Sequence, residues 1–361
     1  MIGKRLLLAR KASGLSQEKL GKAVGVSANM IKKYEHNTSM PSSSIMLKLS
    51  EALSTRIEFF FRPINVELTG IEYRKKAKTP VKLLKRIEAD VLDQAERWLE
   101  LANLWSNFPI SKFKIEMDIP FVNKIEDIES IANDLRAYWK LGTNPIPNLI
   151  DLLESKGILV LVTDVISEQD GNCFDGLQAT INDMPIIVVG SGWTGDRQRF
   201  TLAHELGHLI LHGKLSEHID EEKACHRFAS AFLIPAEELK QIFGSQRKNV
   251  SPRELGFIKH EFGISMSACL YRLKDLGVIT ESKHRQYMFH FSKNGWRKKE
   301  PGEPYPIETT YLFPQLVHRA ISENIISESK GAELLKISVF ELQRKRSFED
   351  NSAADSSTEA V

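Results

Sequence analysis

The segment RQRFTLAHELGHLILH, Arg197 to His212, sets two histidines four residues apart with a glutamate directly after the first. On a helix, residues four apart lie one turn above each other on the same face. His204 and His208 are therefore spaced to grip one zinc ion from a single helix, with Glu205 beside the metal's open position. Two imidazoles and one more protein ligand would leave a coordination position for water. Glu205 would take the proton of that water as it attacks a peptide carbonyl.

The same five-residue pattern arises by chance in unrelated helices, where its histidines are ordinary core residues, so a third ligand is needed. His212 continues the spacing, but His204 to His212 spans about 12 Å along a helix, too far for one ion with bonds near about 2 Å. His212 is read as a supporting or structural residue. A metzincin would need glycine and histidine at positions 211 and 214, where this chain has Leu211 and Lys214. The remaining source is a separate helix, and HIDEEKACHRFASAFLIP supplies it. There Glu222, His226 and Ala229 share one face while Phe228, Phe232 and Ile234 can bury behind. Glu221 lies about 100° round the helix from Glu222, and spacing cannot separate Glu222 from His226.

On these residues the stretch from about 126 to 280 resembles the ImmA/IrrE family of zinc metallopeptidases. The likeness rests on RFTLAHELGHLILH, on the spacing through Glu222, Phe228, Ala229, Leu233 and Pro235, on WKLGTNPIPNLIDLLESKGI, and on FDG at 174–176. The resemblance implies that Glu222 is the third zinc ligand and Glu205 the catalytic base. The chain departs from the family with Cys225 at a usual alanine and His226 at a usual asparagine. Whether His226 or Glu221 shares in metal binding stays open.

The front of the chain has a different character. Residues 1–62 hold eleven Lys and Arg against four Glu and no Asp. In GLSQEKLGKAVGVSANMIKKYEHNTSMPS, Ser16 is a good helix cap with Gln17 to Val24 helical behind it. Gly25 is a helix stop and tight turn, and Ser27 caps a second short helix to about Glu35. Two short helices about a glycine turn, in a helical unit of some 60 residues, describe a helix-turn-helix. Through Leu15-Ser16-Gln17, Leu20, Gly25-Val26-Ser27, Ile31, Tyr34-Glu35 and Pro41, residues 1–62 resemble the XRE/Cro repressor DNA-binding domain. That resemblance implies that Gln17 and the helix from Ser27 to Lys33 face the major groove. With Val26, Met30 or Ile31 and Tyr34 inward, Ala28, Asn29 and Lys32 point out. Lys32 and Lys33 can then neutralise phosphates while Asn29 and Gln17 read base edges. A helical protein-interaction domain with a solvated basic face is the rival.

Composition frames the rest. With 361 residues, 42% hydrophobic and 27% charged, the chain has the make-up of a soluble globular protein of two or three domains. Cys173, Cys225 and Cys269 are far apart and odd in number, with no CxxC, so neither a disulfide framework nor a thiolate zinc site is suggested. The basic start MIGKRLLLARKASG has too short an apolar run for a signal peptide, and no stretch of about 18 apolar residues exists to span a membrane. The expectation is a cytoplasmic protein with no membrane contact.

The expected fold class is α+β. An all-α helix-turn-helix domain (1–62) precedes a connector with a long amphipathic helix (63–110), which packs on a neighbour or on a partner chain. A mainly helical zincin-like domain with a small β-sheet (111–285) follows, with strands at ILVLVTDV and MPIIVVG around turn residues 169–176. After HFSKNGWRKKEPGEPYP, read as a linker, come a helical C-terminal domain (286–348) and a disordered acidic tail (349–361). ISESKGAELLKISVFEL reads as another helix-turn-helix-like pair, but not as a second DNA reader. Arg272 and Lys274 are assigned to a closing subdomain rather than to DNA. The combined expectation is a regulator that binds double-stranded DNA and carries a Zn2+-dependent endopeptidase acting on a repressor-like protein, itself included, with room for a homodimer. The alternative is a non-proteolytic regulator or antitoxin using the peptidase fold as a sensor.

Overall fold

The computed structural model describes residues 2–62, 69–73, 81–163, 174, 176–182 and 184–347. In chain order the first half forms α1 (Ile2–Ala12), α2 (Gln17–Val24), α3 (Ala28–Glu35), α4 (Ser43–Ala52), a 3-10 turn (Ile57–Phe61), β1 (Thr69–Tyr73), α5 (Val81–Leu104), α6 (Ile128–Tyr138) and α7 (Leu149–Ser155). Then come β2 (Leu159–Thr163), β3 (Gly176–Ile181), β4 (Met184–Gly190), α8 (Gly195–Leu211) and α9 (Glu221–Leu233). The chain continues through α10 (Ala236–Phe243), α11 (Pro252–Phe262), α12 (Met266–Asp275), α13 (Glu281–Lys293), α14 (Leu312–Ser322), α15 (Glu328–Leu334) and α16 (Val339–Ser347). The acidic tail at 349–361, the basic residues after Tyr73, Cys173 and Asp175 lie outside the described residues.

Contacts divide the chain into two compact units, one of residues 1–67, 88–111 and 310–361, the other of 68–87 and 112–309. The first is all helical among its described residues. Ser16 Oγ accepts from the Lys19 N–H at the start of α2, and Ser27 Oγ accepts from the Met30 N–H at the start of α3. Between them Gly25 takes φ 81°, the left-handed conformation that glycine adopts without a Cβ penalty. Leu6, Leu20, Ile31, Leu49 and Phe60 are fully buried in the core that these helices enclose.

The sequence boundaries treat the connector and the C-terminal helices as separate pieces; the contacts gather residues 88–111 and 310–347 with the N-terminal helices. The cause is the apolar stripe on α5, which needs cover. Val91, Ala95 and Leu101 are fully buried, and the Trp98 ring centroid lies 5.6 Å from that of Phe313 and 5.7 Å from that of Phe108. Polar ties complete the join: Arg97 donates to Leu334 O at 2.7 Å, Arg56 donates to Ile337 O at 2.7 Å, and Arg62 pairs with Glu333. A buried ion pair joins Arg5 of α1 to Glu96 of α5. Burial pushes the Glu96 carboxyl above its ordinary range, and the Arg5 guanidinium pulls it back.

The second unit holds a four-stranded sheet in the order β1-β3-β4-β2, with β2 parallel to β4 and the other pairs antiparallel. Both continuous apolar runs, at β2 and β4, are strands as their sequences suggest. The other two strands were not anticipated: β3 begins at Gly176, where a turn was read, and Thr69 of β1 pairs with Thr180 of β3. Beside the sheet, Leu202, Leu206 and Ile210 of α8 share one core with Ile187 and Val189 of β4, Ile131 and Leu135 of α6, and Phe228 and Phe232 of α9.

The supposed linker is part of this unit. Helix α13 runs through His290 to Lys293, and the Gly/Pro-rich residues after it strap the helix starts. Glu300 accepts the Met266 and Ser267 N–H groups of α12, both at 3.0 Å. Glu308 accepts the Leu149 and Ile150 N–H groups of α7 at 2.8 and 3.0 Å. These donors have no partner inside their own helices, and a carboxylate there also meets the positive end of the helix dipole. Gly195 is needed beneath the strap, because a Cβ there would lie 1.8 Å from Pro306 O. Arg272 is fully buried, donating to Ile234 O and pairing with Glu129 of α6, so it closes the fold as expected and cannot reach DNA.

Candidate functional site

Helix α8 carries His204, Glu205 and His208 across the floor of the second unit, and α9 crosses against it. Close approach of the two helices depends on Gly207, whose added Cβ would meet Phe228 Cδ1 at 3.2 Å and Cys225 Cα at 3.3 Å. Helix α9 is anchored by Asp220, which accepts from the Lys223 N–H, and by Phe228 stacked on Phe232 at 5.7 Å. This packing leaves the first turn of α9, with Glu221 and Glu222, over the two histidines.

There the donor atoms converge. The Nε2 atoms of His204 and His208 stand 3.2 Å apart. Glu222 sets one carboxylate oxygen 3.4 Å from the His204 Nε2 and the other 3.6 Å from the His208 Nε2. For an ion with tetrahedral ligand bonds of about 2.0–2.1 Å, donor atoms stand about 3.3–3.4 Å apart. Two imidazole nitrogens and a carboxylate at these separations fit a zinc-like ion, so the residues present suit the metal that the sequence suggests.

The neighbours sort themselves around this triangle. Glu221 lies 3.0 Å from the other ring nitrogen of His208, Nδ1, the position from which a carboxylate fixes a ligand's tautomer and ring orientation. His226 is exposed, stacks its ring on Phe200 at 5.6 Å and meets the His204 ring at a tilt, 4.6 Å between centroids. His204, Glu222 and His226 also have donor atoms within 4.8 Å of one another, as do His208, Glu221 and Cys225. His204, His208 and Glu222, at separations of 3.2–3.6 Å, match the spacing of ligands around a tetrahedral ion. His212 ends α8 as an exposed capping residue.

Glu205 is 2% exposed, and a Cβ at Gly176 would lie 3.3 Å from its Oε1, so the start of β3 runs past the carboxylate. Neither β3 nor Glu221's contact was legible beforehand. The register of antiparallel strands leaves no local mark, and adjacent glutamates on a helix look alike until the partner helix is in place.

In the first unit, Asn29, Lys32 and Lys33 of α3 are exposed and Ala28 is half-buried. Ser27 is the cap of α3. Gln17 is half-buried: its amide donates at 2.6 Å to Glu35, which is also held by Arg10 at 2.5 and 3.1 Å. This Arg10–Glu35–Gln17 network pins α1, α2 and α3 together beneath the exposed residues. Among the described residues no helix is long and apolar enough to cross a membrane.

Comparison with known proteins finds a family match for a stretch of each unit. Residues 6–60 match a helix-turn-helix family model, and residues 153–274 match the IrrE N-terminal-like domain of peptidase family M78. Two proteins named as uncharacterized HTH-type transcriptional regulators, from Sinorhizobium medicae (strain WSM419) and Rhizobium meliloti (strain 1021), are each 38% identical over 60 residues. The match covers 17% of this chain and 43% of theirs, so the chain spans under half the length of these curated relatives. A Mycobacterium tuberculosis transcriptional regulator aligns with a TM-score of 0.31 at 14% identity, over 50% of this chain and 51% of that one, a likeness too low to bear on the fold. The chain thus joins an XRE-type helix-turn-helix segment at its N-terminus to an IrrE/ImmA-type segment of the M78 metallopeptidase family at residues 153–274.

Proposed function

We propose that the chain is a DNA-binding transcriptional regulator whose second unit is a zinc-dependent endopeptidase that cleaves a protein regulator, itself or a partner repressor. The observation that carries the enzymatic half is the triangle of His204 Nε2, His208 Nε2 and the Glu222 carboxylate, with edges of 3.2, 3.4 and 3.6 Å. These three residues would hold the metal. When bound, zinc supplies a water of lowered pKa and polarises a carbonyl oxygen. Glu205, on the same turn as the ligands, would hold the proton taken from that water and pass it to the leaving amine. Glu221 keeps the His208 ring turned so that Nε2 faces inward. A duplex-binding regulator works where the DNA is, which places the reading in the cytoplasm.

One further contact favours self-directed cleavage. An extended peptide adds to a sheet through main-chain hydrogen bonds at an edge. The edge next to β3, whose first residue lies against Glu205, is taken by this chain's own β1, with Tyr73 opposite Leu177. Residues 69–73, which lie in sequence between the DNA-binding helices and the rest of the peptidase unit, therefore sit in the lane that a substrate strand would use. Mass spectrometry of the full chain incubated with and without zinc, beside a peptide library, tests this. A metal-dependent cut within residues 63–80 supports self-cleavage, a cut in library peptides alone points to a partner, and no cut in either overturns the enzymatic reading.

Glu222, rather than Glu221 or His226, is assigned as the third ligand. In the full-length protein, Glu222→Gln should weaken zinc binding at least about a hundredfold, because outer-shell changes already cost about 10- to 100-fold. Glu221→Gln, which removes only the carboxylate that orients the His208 ring, should cost about tenfold, and His226→Asn should leave affinity unchanged. Titration with a competing chelator reads all three. Loss in His226→Asn alone would mean a three-histidine site and would overturn the assignment.

DNA binding is assigned to Gln17, Ser27, Ala28, Asn29, Lys32 and Lys33. Ser27 would act through the cap that sets α3, and Ala28 would allow close approach to the groove. Affinity should fall steeply with salt as Lys32 and Lys33 displace counterions. Lys33→Ala should weaken all sequences alike and reduce the salt slope by about one, whereas Asn29→Ala should relax sequence choice. Gel shifts across salt concentrations check this, and a full-length protein that binds no duplex at low salt refutes it.

A further inference from the structure

Helices α15 and α16 repeat the geometry of α2 and α3 at a constant offset of 311 residues. Ser327 Oγ accepts the Lys330 N–H at 3.2 Å, as Ser16 Oγ accepts the Lys19 N–H at 3.1 Å. The Glu341 N–H donates to Ser338 Oγ at 3.0 Å, as the Met30 N–H donates to Ser27 Oγ at 3.2 Å. Across the turn, Ile337 N–H bonds Ala332 O at 3.0 Å where Val26 N–H bonds Gly21 O at 2.9 Å. Lys336 takes φ 58° at the position of Gly25, with its φ of 81°. Leu342 and Ile31, at matching positions, are both fully buried. Even the link from first helix to second recurs: Arg346 donates to Glu328 at 2.5 Å, and Gln17 donates to Glu35 at 2.6 Å, at the same two positions with the roles exchanged. The two 21-residue stretches, 16–36 and 327–347, share only their capping serines and Lys19/Lys330, so the sequence hides the repeat.

From this match we infer that residues 327–347 are a second helix-turn-helix, and that α16 is a second reading helix for duplex DNA, although its sequence alone does not mark it as a DNA reader. The first helix and the turn are turned toward the rest of the unit, through Glu333 to Arg62 and through Ile337 O to Arg56. That leaves α16 outward. Phe340, 69% exposed, stands where Asn29 stands in α3, with Gln343 and Arg344 at the positions of Lys32 and Lys33. An exposed phenylalanine on a reading helix suits a thymine methyl, and Arg344 suits a guanine edge or a phosphate. Both 21-residue stretches carry a formal charge of +2, which suits the same polyanion. One chain would thus bring two readers to one operator and recognise a bipartite site.

The inference rests on the reading of α2 and α3 as the first reader, and the test separates the two. Binding sites are selected from random duplex DNA with the full-length protein and with its Phe340→Ala, Arg344→Ala and Asn29→Ala forms. A bipartite site is expected, with Phe340→Ala and Arg344→Ala losing preference about tenfold in one part and Asn29→Ala losing it in the other. A site altered by Phe340→Ala but not by Asn29→Ala would uphold the second reader and overturn the first. A site that Phe340→Ala and Arg344→Ala leave unchanged would overturn the inference. So would a change of oligomeric state in those two variants with DNA binding intact, since the face would then meet protein. All three side chains are exposed, so the variants keep the fold.

Discussion

Glu205→Gln is expected to keep its zinc and lose peptide hydrolysis by about two to four orders of magnitude, the range of a lost general base. His204→Ala and His208→Ala should instead lose the metal itself. The division follows from position. The two histidines present Nε2 atoms 3.2 Å apart toward Glu222, while Glu205, one residue on and about 100° round the helix, cannot share that face. Its carboxylate runs against the start of β3 and is almost wholly buried, so glutamine of the same shape fits the space. Metal content of the purified full-length variants separates ligand from base without reference to turnover. Loss of zinc from Glu205→Gln would overturn the assignment of roles, and full hydrolysis by the zinc-loaded variant would overturn the base.

The histidine pair could be read from sequence because its geometry is local. Four residues make one helical turn, and the packing that turns His204 inward is set by Leu202, Leu206 and Ile210 on the same helix. The capping serines of α2 and α3 are local in the same way. What could not be read depends on partners far along the chain. Strand β1 is five residues whose pairing partner lies over a hundred positions away, and nothing in TGIEY marks it as a strand edge. Glu221 and Glu222 differ only in the face they show to α8, and that face depends on how closely Gly207 lets α9 approach. Cover for the α5 stripe was expected from an unnamed neighbour; it comes from Phe313 and the C-terminal helices, because Trp98 and Leu101 lie where those helices reach. Spacing tells which residues share a face. It does not tell which surface that face will meet.

The Gly/Pro-rich strap makes the strongest case of this kind, and it predicts a large effect far from the metal. Arg199 is fully buried, pairs with Glu308 and donates to Ile146 O at 2.9 Å. Glu308 in turn holds the start of α7, and its backbone exchanges hydrogen bonds with the Gln198 amide, the N–H at 2.9 Å and the carbonyl at 3.0 Å. Removing one member of a buried pair leaves the other charge without its counterion, which costs about 3–5 kcal/mol. Arg199→Ala and Glu308→Ala should therefore each lower the melting temperature of this unit by roughly 10 °C. Arg199→Lys should recover only part of the loss, since an ammonium keeps the charge but cannot fork between a carboxylate and a carbonyl. Because Arg199 lies five residues before His204 on α8, zinc affinity should fall along with stability. Thermal unfolding with calorimetric readout of the full chain decides the matter. If both alanine variants melt within about 2 °C of the parent, the strap is a passive linker after all, and α8 is held by its apolar face alone.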